Sequence, residues 1–341
     1  MSKKPTQDIV FINEASSLVG MGHILRSQTL AKHLLLREYN VSGITIGEEK
    51  AVLYADQLAK HEGFILPTLL TQDVNFTIKN VSHNPPNLVV VDCDKLSQDI
   101  VLSCIDCGIK VVALDYFISE QPLPAAVINL IDHNPLVLSG LFPIRNGVDY
   151  YQGPEYGIIR NEFLAARERR GFRTESLTIK RIVVTFGGAD PAGNTKKALD
   201  MIFEWPGNFM VDIIIGPLFE LEINSLSAAL REKCSIACHE SPSYIGKLFE
   251  DADLVFCGGG GTLLEAICVG VPVVVIAQNE SELMHSRSLA IRGACTLFED
   301  LKWEFINLLK NRIQQSNAAK SCVDGLGYER ICDIIEKHLN Y

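Results

Sequence analysis

The sequence predicts an α/β protein of two domains, each a doubly wound parallel sheet with helices on both faces. Three observations carry that prediction. The chain has 341 residues, and at about 150 residues per domain that length supplies two. Continuous apolar runs, such as 87–91 and 273–277, alternate with helical stripes, the pattern of strands covered on both sides. The alternation breaks at 150–176 and then restarts.

Taken in order, the first array reads as strand 8–12, helix 20–39, strand 41–46, helix 51–61, strand 87–91, helix 96–107, strand 110–114 and strand 125–131. Ile24, Leu30, Ala31, Leu34 and Leu35 form the stripe of the first helix. At 150–176 a Gln152-Gly153-Pro154 turn leads into a charged helix at 159–169, which predicts a connection between domains. The second array reads strand 181–186, helix 194–204, strand 211–215, helix 221–232, strand 235–238, helix 243–250, strand 254–257, helix 262–269, strand 273–277 and helix 282–292. It ends helical from Leu301. The domains are therefore expected at 1–152 and 179–341, joined by 153–178, facing each other across a cleft. The last helix is expected to pack back on the first domain. Ligands of such sheets bind beyond the carboxyl ends of the strands.

Composition narrows the function classes. The chain is 47% hydrophobic and 21% charged, with mean hydropathy +0.15, which fits a globular protein with large cores. Its net charge is −10, from 31 basic and 41 acidic residues, so counterion release gives it little hold on nucleic acid. The longest apolar stretch, 267–277, is short of a bilayer span and holds Pro272. Met1 to Pro5 runs directly into the first strand with no signal-peptide core. Ten cysteines sit mostly within apolar runs, which points to free thiols in a reducing cytoplasm. The Cys104–Cys107 pair has no second pair at zinc-ribbon spacing, and no metal is expected.

Three glycine-rich loops fall where strands end and helices begin. In Gly20-Met21-Gly22-His23-Ile24-Leu25-Arg26, glycines let backbone approach a ligand and the helix start favours an anion. His23 lies in the first turn, where the positive helix end predicts a neutral imidazole available as a base. Arg26 lies one turn on, along the same face. The other reading is a glycine turn with a capping histidine. The second loop is Phe186-Gly187-Gly188-Ala189-Asp190-Pro191, with Asn194 and Thr195 as helix caps; Gly187, Gly188 and Asp190 either meet a ligand or form a plain strand-to-helix turn. The third is Cys257-Gly258-Gly259-Gly260-Gly261-Thr262. Four glycines together are costly in chain entropy, and a phosphate or nucleobase near Gly259, Gly260, Gly261 and Thr262 would account for them. Glu265 is either a ribose acceptor or a solvated helix residue. There is neither a nicotinamide fingerprint after the first strand nor a P-loop.

Lesser candidates follow the same logic. Asp92 and Asp94 end an apolar strand and are expected to point into the ligand cleft; Asp115 and Tyr116 end the next. Asn279 and Glu280 end the strand at 273–277 and are expected at the ligand. Asp132, His133 and Asn134 read as a turn, Glu48 and Glu49 as a helix start, and His239 and His285 as residues without a catalytic role.

Together these segments resemble a known family. The first glycine loop followed by Thr29-Leu30-Ala31 resembles the start of the UDP-sugar hydrolases of pseudaminic-acid biosynthesis. Gly153-Pro154-Glu155-Tyr156 with Ile159-Arg160-Asn161-Glu162-Phe163 resembles that family's interdomain segment. The Gly187–Asp190 loop resembles its G-G-x-D segment; Gly260 to Glu265, Gly270-Val271-Pro272 and Gln278-Asn279-Glu280 resemble its nucleotide-binding end. The ordered set spans almost the whole chain. It extends to MurG-type glycosyltransferases and to spore-coat polysaccharide proteins. The resemblance implies a GT-B fold and metal- and cofactor-independent hydrolysis of a UDP-2,4-diacetamido-2,4,6-trideoxyhexose to UDP and free sugar. It implies His23 as the residue that activates water, Glu265 at the ribose, Tyr156 in the substrate segment and uracil as the base. Asn13-Glu14 and Asp92-Cys93-Asp94 depart from the family pattern where the sugar is expected, so the sugar itself is left open. So are a glycosyltransferase using the same donor, a 2-epimerase, a non-catalytic nucleotide-sugar-binding protein, and the oligomeric state.

Overall fold

The computed structural model describes residues 7–17, 19–61, 64–94, 96–116, 123–130, 148–171, 179–219, 234–300 and 305–340. The helix expected at 221–232 and the turn at Asp132, His133 and Asn134 lie outside the described residues.

Strands of the first sheet are β1 (Asp8–Ala15), β2 (Asn40–Gly47), β3 (Thr68–Thr71), β4 (Leu88–Asp92), β5 (Lys110–Leu114), β6 (Ala126–Asn129) and β7 (Asp149–Gln152). They lie in the order β3-β2-β1-β4-β5-β6-β7, all parallel. Every residue of β4 is buried, because helices cover both faces. On one face Ile9, Phe11, Val90 and Leu114 pack with Leu30 and Leu34 of helix Gly22–Leu36 and with Ile331 and Ile335 of helix Gly327–Asn340. On the other, Ile12, Val89, Val91 and Ala113 pack with Val81, Ile100 and Cys104.

The second sheet repeats the plan. Its strands are β8 (Arg181–Thr185), β9 (Met210–Ile215), β10 (Ser235–Glu240), β11 (Leu254–Cys257), β12 (Val273–Val275) and β13 (Thr296–Leu297), in the order β10-β9-β8-β11-β12-β13. In both sheets the winding direction reverses beside the first strand, between β1 and β4 and between β8 and β11. The helices that follow β1 and β4 leave to opposite faces there, opening a ligand crevice at the strand ends.

The chain divides into two units, Met1–Ile158 with Leu326–Tyr341, and Ile159–Gly325. The final helix is thus part of the first unit. The segment expected to be a connection at 153–178 is divided between the units, and its charged helix, Asn161–Arg170, is core to the second. Phe163 and Ala166 are fully buried there, Phe163 with its ring 5.4 Å from that of Phe249. The charges that suggested a connection between domains reach inward. Arg167 donates to the carbonyls of Cys268, Val323 and Lys320, and Arg170 to those of Phe249, Glu250 and Ala252. These are the open carbonyls at helix C-termini, which a cation satisfies and stabilises.

Other departures are local. After helix Glu49–His61 come β3 and helix Val74–His83, neither announced by the sequence, since β3 is a four-residue edge strand with Leu69 and Leu70 exposed. β7, also not expected from the sequence, pairs with β6 and ends at Gln152, where the expected Gln152-Gly153-Pro154 turn begins. β13 has two residues, too few to leave a pattern.

Replacing Phe163 by Ala should destabilise the second unit by about 3–5 kcal/mol, read as an earlier denaturant midpoint of its unfolding transition. A variant as stable as the parent would show that this helix is a surface connection after all.

Candidate functional site

At the end of β1 the chain turns back on itself. The Gly20 amide donates to the Ser16 carbonyl at 2.7 Å, the Ser16 amide to Gly20 at 3.2 Å, and Gly20 takes φ +77°, a left-handed turn that glycine adopts without cost. Ser17 donates its amide and hydroxyl to Glu48 at 2.9 Å, so Glu48 anchors this turn ahead of the helix that starts at Glu49. Helix Gly22–Leu36 begins with no side-chain cap at Met21, and His23 sits in its first turn.

The Nδ1 atom of His23 is 2.9 Å from the Asp92 carbonyl oxygen and 3.1 Å from Asp92 Oδ1. Both are acceptors, so Nδ1 carries the hydrogen and a neutral ring keeps its lone pair on Nε2. Among the described residues nothing bonds Nε2. Asp92 is the last residue of β4 and fully buried. Arg26 clasps it from both sides, Nε to Oδ2 at 2.6 Å and the second amino group to Oδ1. The remaining Arg26 nitrogen donates to Asp115 Oδ2 at 2.7 Å. Asp115 ends β5 with φ +46° and takes the Leu130 amide on Oδ1 at 2.8 Å.

The electrostatics correct one expectation. Burial pulls the His23 pKa down, but the Asp92 charge and hydrogen bonds outweigh it, and the net shift is upward from 6.5. The helix end does not hold the ring neutral. For Asp92 burial acts upward, yet Arg26 and His23 prevail and lower the carboxyl to about 2. By linkage, Asp92 stabilises the fold above about pH 4 and loses that contribution as pH falls toward 2. His23 stabilises below 6.5 and loses its contribution as pH rises through its folded pKa.

Polar groups continue along the same sheet edge. Thr45 donates to Asn13 at 2.8 Å, both buried. Asn129 accepts the Tyr116 amide at 2.9 Å and donates to the Tyr150 hydroxyl at 2.6 Å, which donates to Gln152. The Asp94 amide meets Glu14 at 3.2 Å.

In the second unit the loops after β8 and β11 occupy the corresponding reversal. Helix Gly261–Val269 starts with no side-chain cap at Gly260, so its first amides form a site suited to an anion. The loop is held from below by Glu282, whose Oε2 accepts the amides of Gly259 and Gln278, each at 2.8 Å. Burial raises the Glu282 pKa, and those two amides partly offset it. Glu265 accepts two hydrogen bonds from Arg160, at 2.7 and 3.1 Å. Arg160 also pairs with Glu162 and lies 4.7 Å from the centre of the Phe163 ring.

No family model matches the chain. It is 29% identical over 280 residues to an uncharacterized protein of Methanocaldococcus jannaschii, covering 80% of this chain and 56% of that one. It therefore spans little more than half of that relative. It is 24% identical over 339 residues to the spore coat polysaccharide biosynthesis protein SpsG of Bacillus subtilis, covering 93% of this chain and 94% of SpsG. Among solved structures, a UDP-GlcNAc 2-epimerase from Neisseria meningitidis superposes with TM-score 0.66 at 12% identity, over 97% of this chain and all of that one. MurG of Acinetobacter baumannii gives 0.63 at 13% identity, over 97% and 99%. The fold is GT-B.

In this GT-B chain the structure gathers Gly20, Gly22, His23, Arg26 and Asp92 at one crevice, with Asp94 exposed beside it. Five expected ligand contacts have other duties. Arg26 is engaged by Asp92 and Asp115. Asp92 spends its oxygens on Arg26 and His23. Tyr156 lies against the apolar core of the first unit, edge-on to Tyr151 at 5.8 Å. Asp190 caps helix Asn194–Glu204, accepting the amides of Asn194 and Thr195 at 2.8 and 2.9 Å; Asn194 and Thr195, expected as caps, are the capped residues. Asn279 caps helix Glu280–Ile291 by accepting the Glu282 amide, and Glu280 is exposed at its start.

The tetraglycine loop also changes meaning. A Cβ at Gly259 would collide with Ser286 and Glu282, whereas one at Gly261 meets nothing. Protein packing explains the first, and open space at the helix start remains for a ligand at the second. Gly187 likewise has open space, while Gly188 presents its carbonyl to Gly216, where a Cβ would collide. Arg160 stands out only as part of the segment that resembles the family's interdomain stretch, and its partner Glu265 lies 105 residues away. Glu282 and Gly216 are not singled out by the sequence, since Gly259 and Gly188 lie far from them along the chain. Among the described residues no group of His, Cys, Asp and Glu is placed to hold a metal ion, the ten cysteines are free, and no helix is long and apolar enough to cross a membrane.

Gly259→Ala should cost about 1–3 kcal/mol through overpacking, whereas Gly261→Ala should stay within about 0.5 kcal/mol of the parent. Thermal or denaturant unfolding of the two variants measures the contrast, and equal costs would reject the packing account.

Proposed function

We propose that this chain is a nucleotide-sugar hydrolase of surface-glycan biosynthesis, releasing UDP and a free sugar of the 2,4-diacetamido-2,4,6-trideoxyhexose type. The observation that carries the reading is the tether of His23 Nδ1 to Asp92. A ring so held offers Nε2 as a base, and the buried carboxylate stabilises the imidazolium that forms when a proton arrives. Support comes from SpsG, which is named for spore-coat polysaccharide biosynthesis, and from a neighbour solved with UDP-GlcNAc bound.

In this reading the second unit binds the nucleotide. The open amides at the start of helix Gly261–Val269 meet the diphosphate, and Glu265, oriented by Arg160, meets the ribose diol. His23 Nε2 removes a proton from water as the water oxygen attacks the anomeric carbon opposite UDP. The bond from that carbon to the phosphate oxygen breaks, and its electron pair leaves with UDP. The configuration inverts. A diphosphate needs no separate acid to leave; its growing charge is stabilised by backbone amides already in place. A glycosyltransferase would use the same donor site with a hydroxyl in place of water, a reading favoured by the likeness to MurG.

Turnover of a panel of UDP-linked diamino-trideoxy sugars in H₂¹⁸O separates the two. Hydrolysis puts one ¹⁸O on the sugar C1 and none on UDP; turnover only with an added acceptor alcohol would establish transfer instead. His23→Ala should reduce turnover about 10²–10⁴-fold with UDP affinity retained. Because the base works deprotonated and its pKa is raised, kcat/KM should climb with pH through an apparent pKa above 6.5. A profile flat across that range, or an active His23→Ala protein, would remove His23 from the base role.

A further inference from the structure

We propose that Arg26 and Asp115 are positioning residues for His23, acting through Asp92. The inference rests on the base role given to His23 above and extends it to two side chains outside that role.

The geometry forms a chain of four charged or titratable groups. Asp115 holds one nitrogen of Arg26 at 2.7 Å. Arg26 holds both oxygens of Asp92, and Asp92 holds the Nδ1–H of His23. Each link is fixed at its far end. Asp92 ends a fully buried strand, and Asp115 is pinned by the Leu130 amide. Arg26 therefore does two opposing things. Its planar fork prevents the Asp92 carboxylate from rotating away from His23, and its positive charge disfavours a proton on the ring. Asp115 draws part of that charge away. With two carboxylates and one guanidinium the cluster is one negative charge in excess, and a proton on His23 brings it to neutrality.

The charged groups on the elements around His23 are Glu14 at the end of β1, Asp92 and Asp94 after β4, Asp115 after β5, and Arg26 on its own helix. Asp92 and Arg26 act directly on the ring; Asp115 reaches it through Arg26.

The chain makes opposite predictions for its two outer members, which a purely structural role does not. In Asp115→Asn the guanidinium is no longer shared, and His23 should titrate at lower pH than in the parent. In Arg26→Gln the cation is gone, and His23 should titrate at higher pH. Arg26→Lys keeps the charge and should stay on the parent's side of Arg26→Gln. The readout is the imidazole titration by ¹H–¹⁵N NMR on the full chain, with the His23 signal assigned by its loss in His23→Gln. Thermal unfolding checks that each variant is folded; if Arg26→Gln is not, Asp115→Asn still decides. An unmoved midpoint in Asp115→Asn, or shifts in the same direction for Asp115→Asn and Arg26→Gln, would overturn the proposal. The titration needs no substrate, so its failure is distinct from a failure of the hydrolase reading in the substrate panel.

Discussion

A buried carboxylate at the end of one strand organises the first unit. Asp92 has no exposure to solvent, and an isolated charge in that position would cost several kcal/mol or be neutralised. It stays ionised because Arg26 meets both its oxygens and His23 adds a further donor. The position follows from topology. Asp92 lies in register with Asn13 across the β1–β4 pair, at the point where the winding reverses and helix Gly22–Leu36 starts. The strand supplies the carboxylate, the helix the imidazole and the guanidinium, and their crossing fixes the distances.

The two units share a strand order and differ in how they use their acids. In the second unit Asp190 holds the first amides of a helix, Glu282 holds the amides under the glycine loop, and Glu265 is locked to Arg160. Asp190 and Glu282 shape backbone, and Glu265 is oriented by a side chain. A carboxylate–imidazole pair does occur in this unit, Asp212 with His239 at 2.8 Å and with Arg181, but it lies between β8, β9 and β10 and not at the glycine loops. The first unit thus places an imidazole–carboxylate pair beside a helix start at its strand ends, and the second a set of uncapped backbone amides at the start of helix Gly261–Val269. The proposed assignment of base and nucleotide to different units rests on that difference.

The fold was legible wherever a strand is buried on both faces. β4, β5, β8 and β11 read as unbroken apolar runs because there is no solvent side to impose alternation. Edge strands escaped notice for the converse reason: β3 presents Leu69 and Leu70 to solvent with threonines at either end. The helix Asn161–Arg170 was misassigned because arginine is ambiguous in sequence. Arg167 and Arg170 bury their stems and deliver charge to helix C-termini, and nothing local distinguishes that from a solvated face. At the site, His23 and Asp92 were legible by position, one after a glycine turn and one at a strand end. The roles of Arg26 and Glu265 were not, since each depends on a partner 66 or 105 residues away.

On the proposed base role, the raised pKa of His23 bears on rate in two opposing ways. A more basic imidazole takes a proton from water more readily in the transition state, while a smaller fraction of it is deprotonated at neutral pH. Brønsted behaviour puts the best compromise near the working pH. Asp92 alone would push the ring further upward, since a buried carboxylate in contact favours the charged form. Arg26 opposes it directly and Asp115 moderates Arg26, so the cluster sets the compromise with three charges where one would set the orientation. Arg26 is needed in any case to keep Asp92 ionised, so the reason to connect the outer two residues with the proton chemistry is their opposite electrostatic effect on the ring, not their presence.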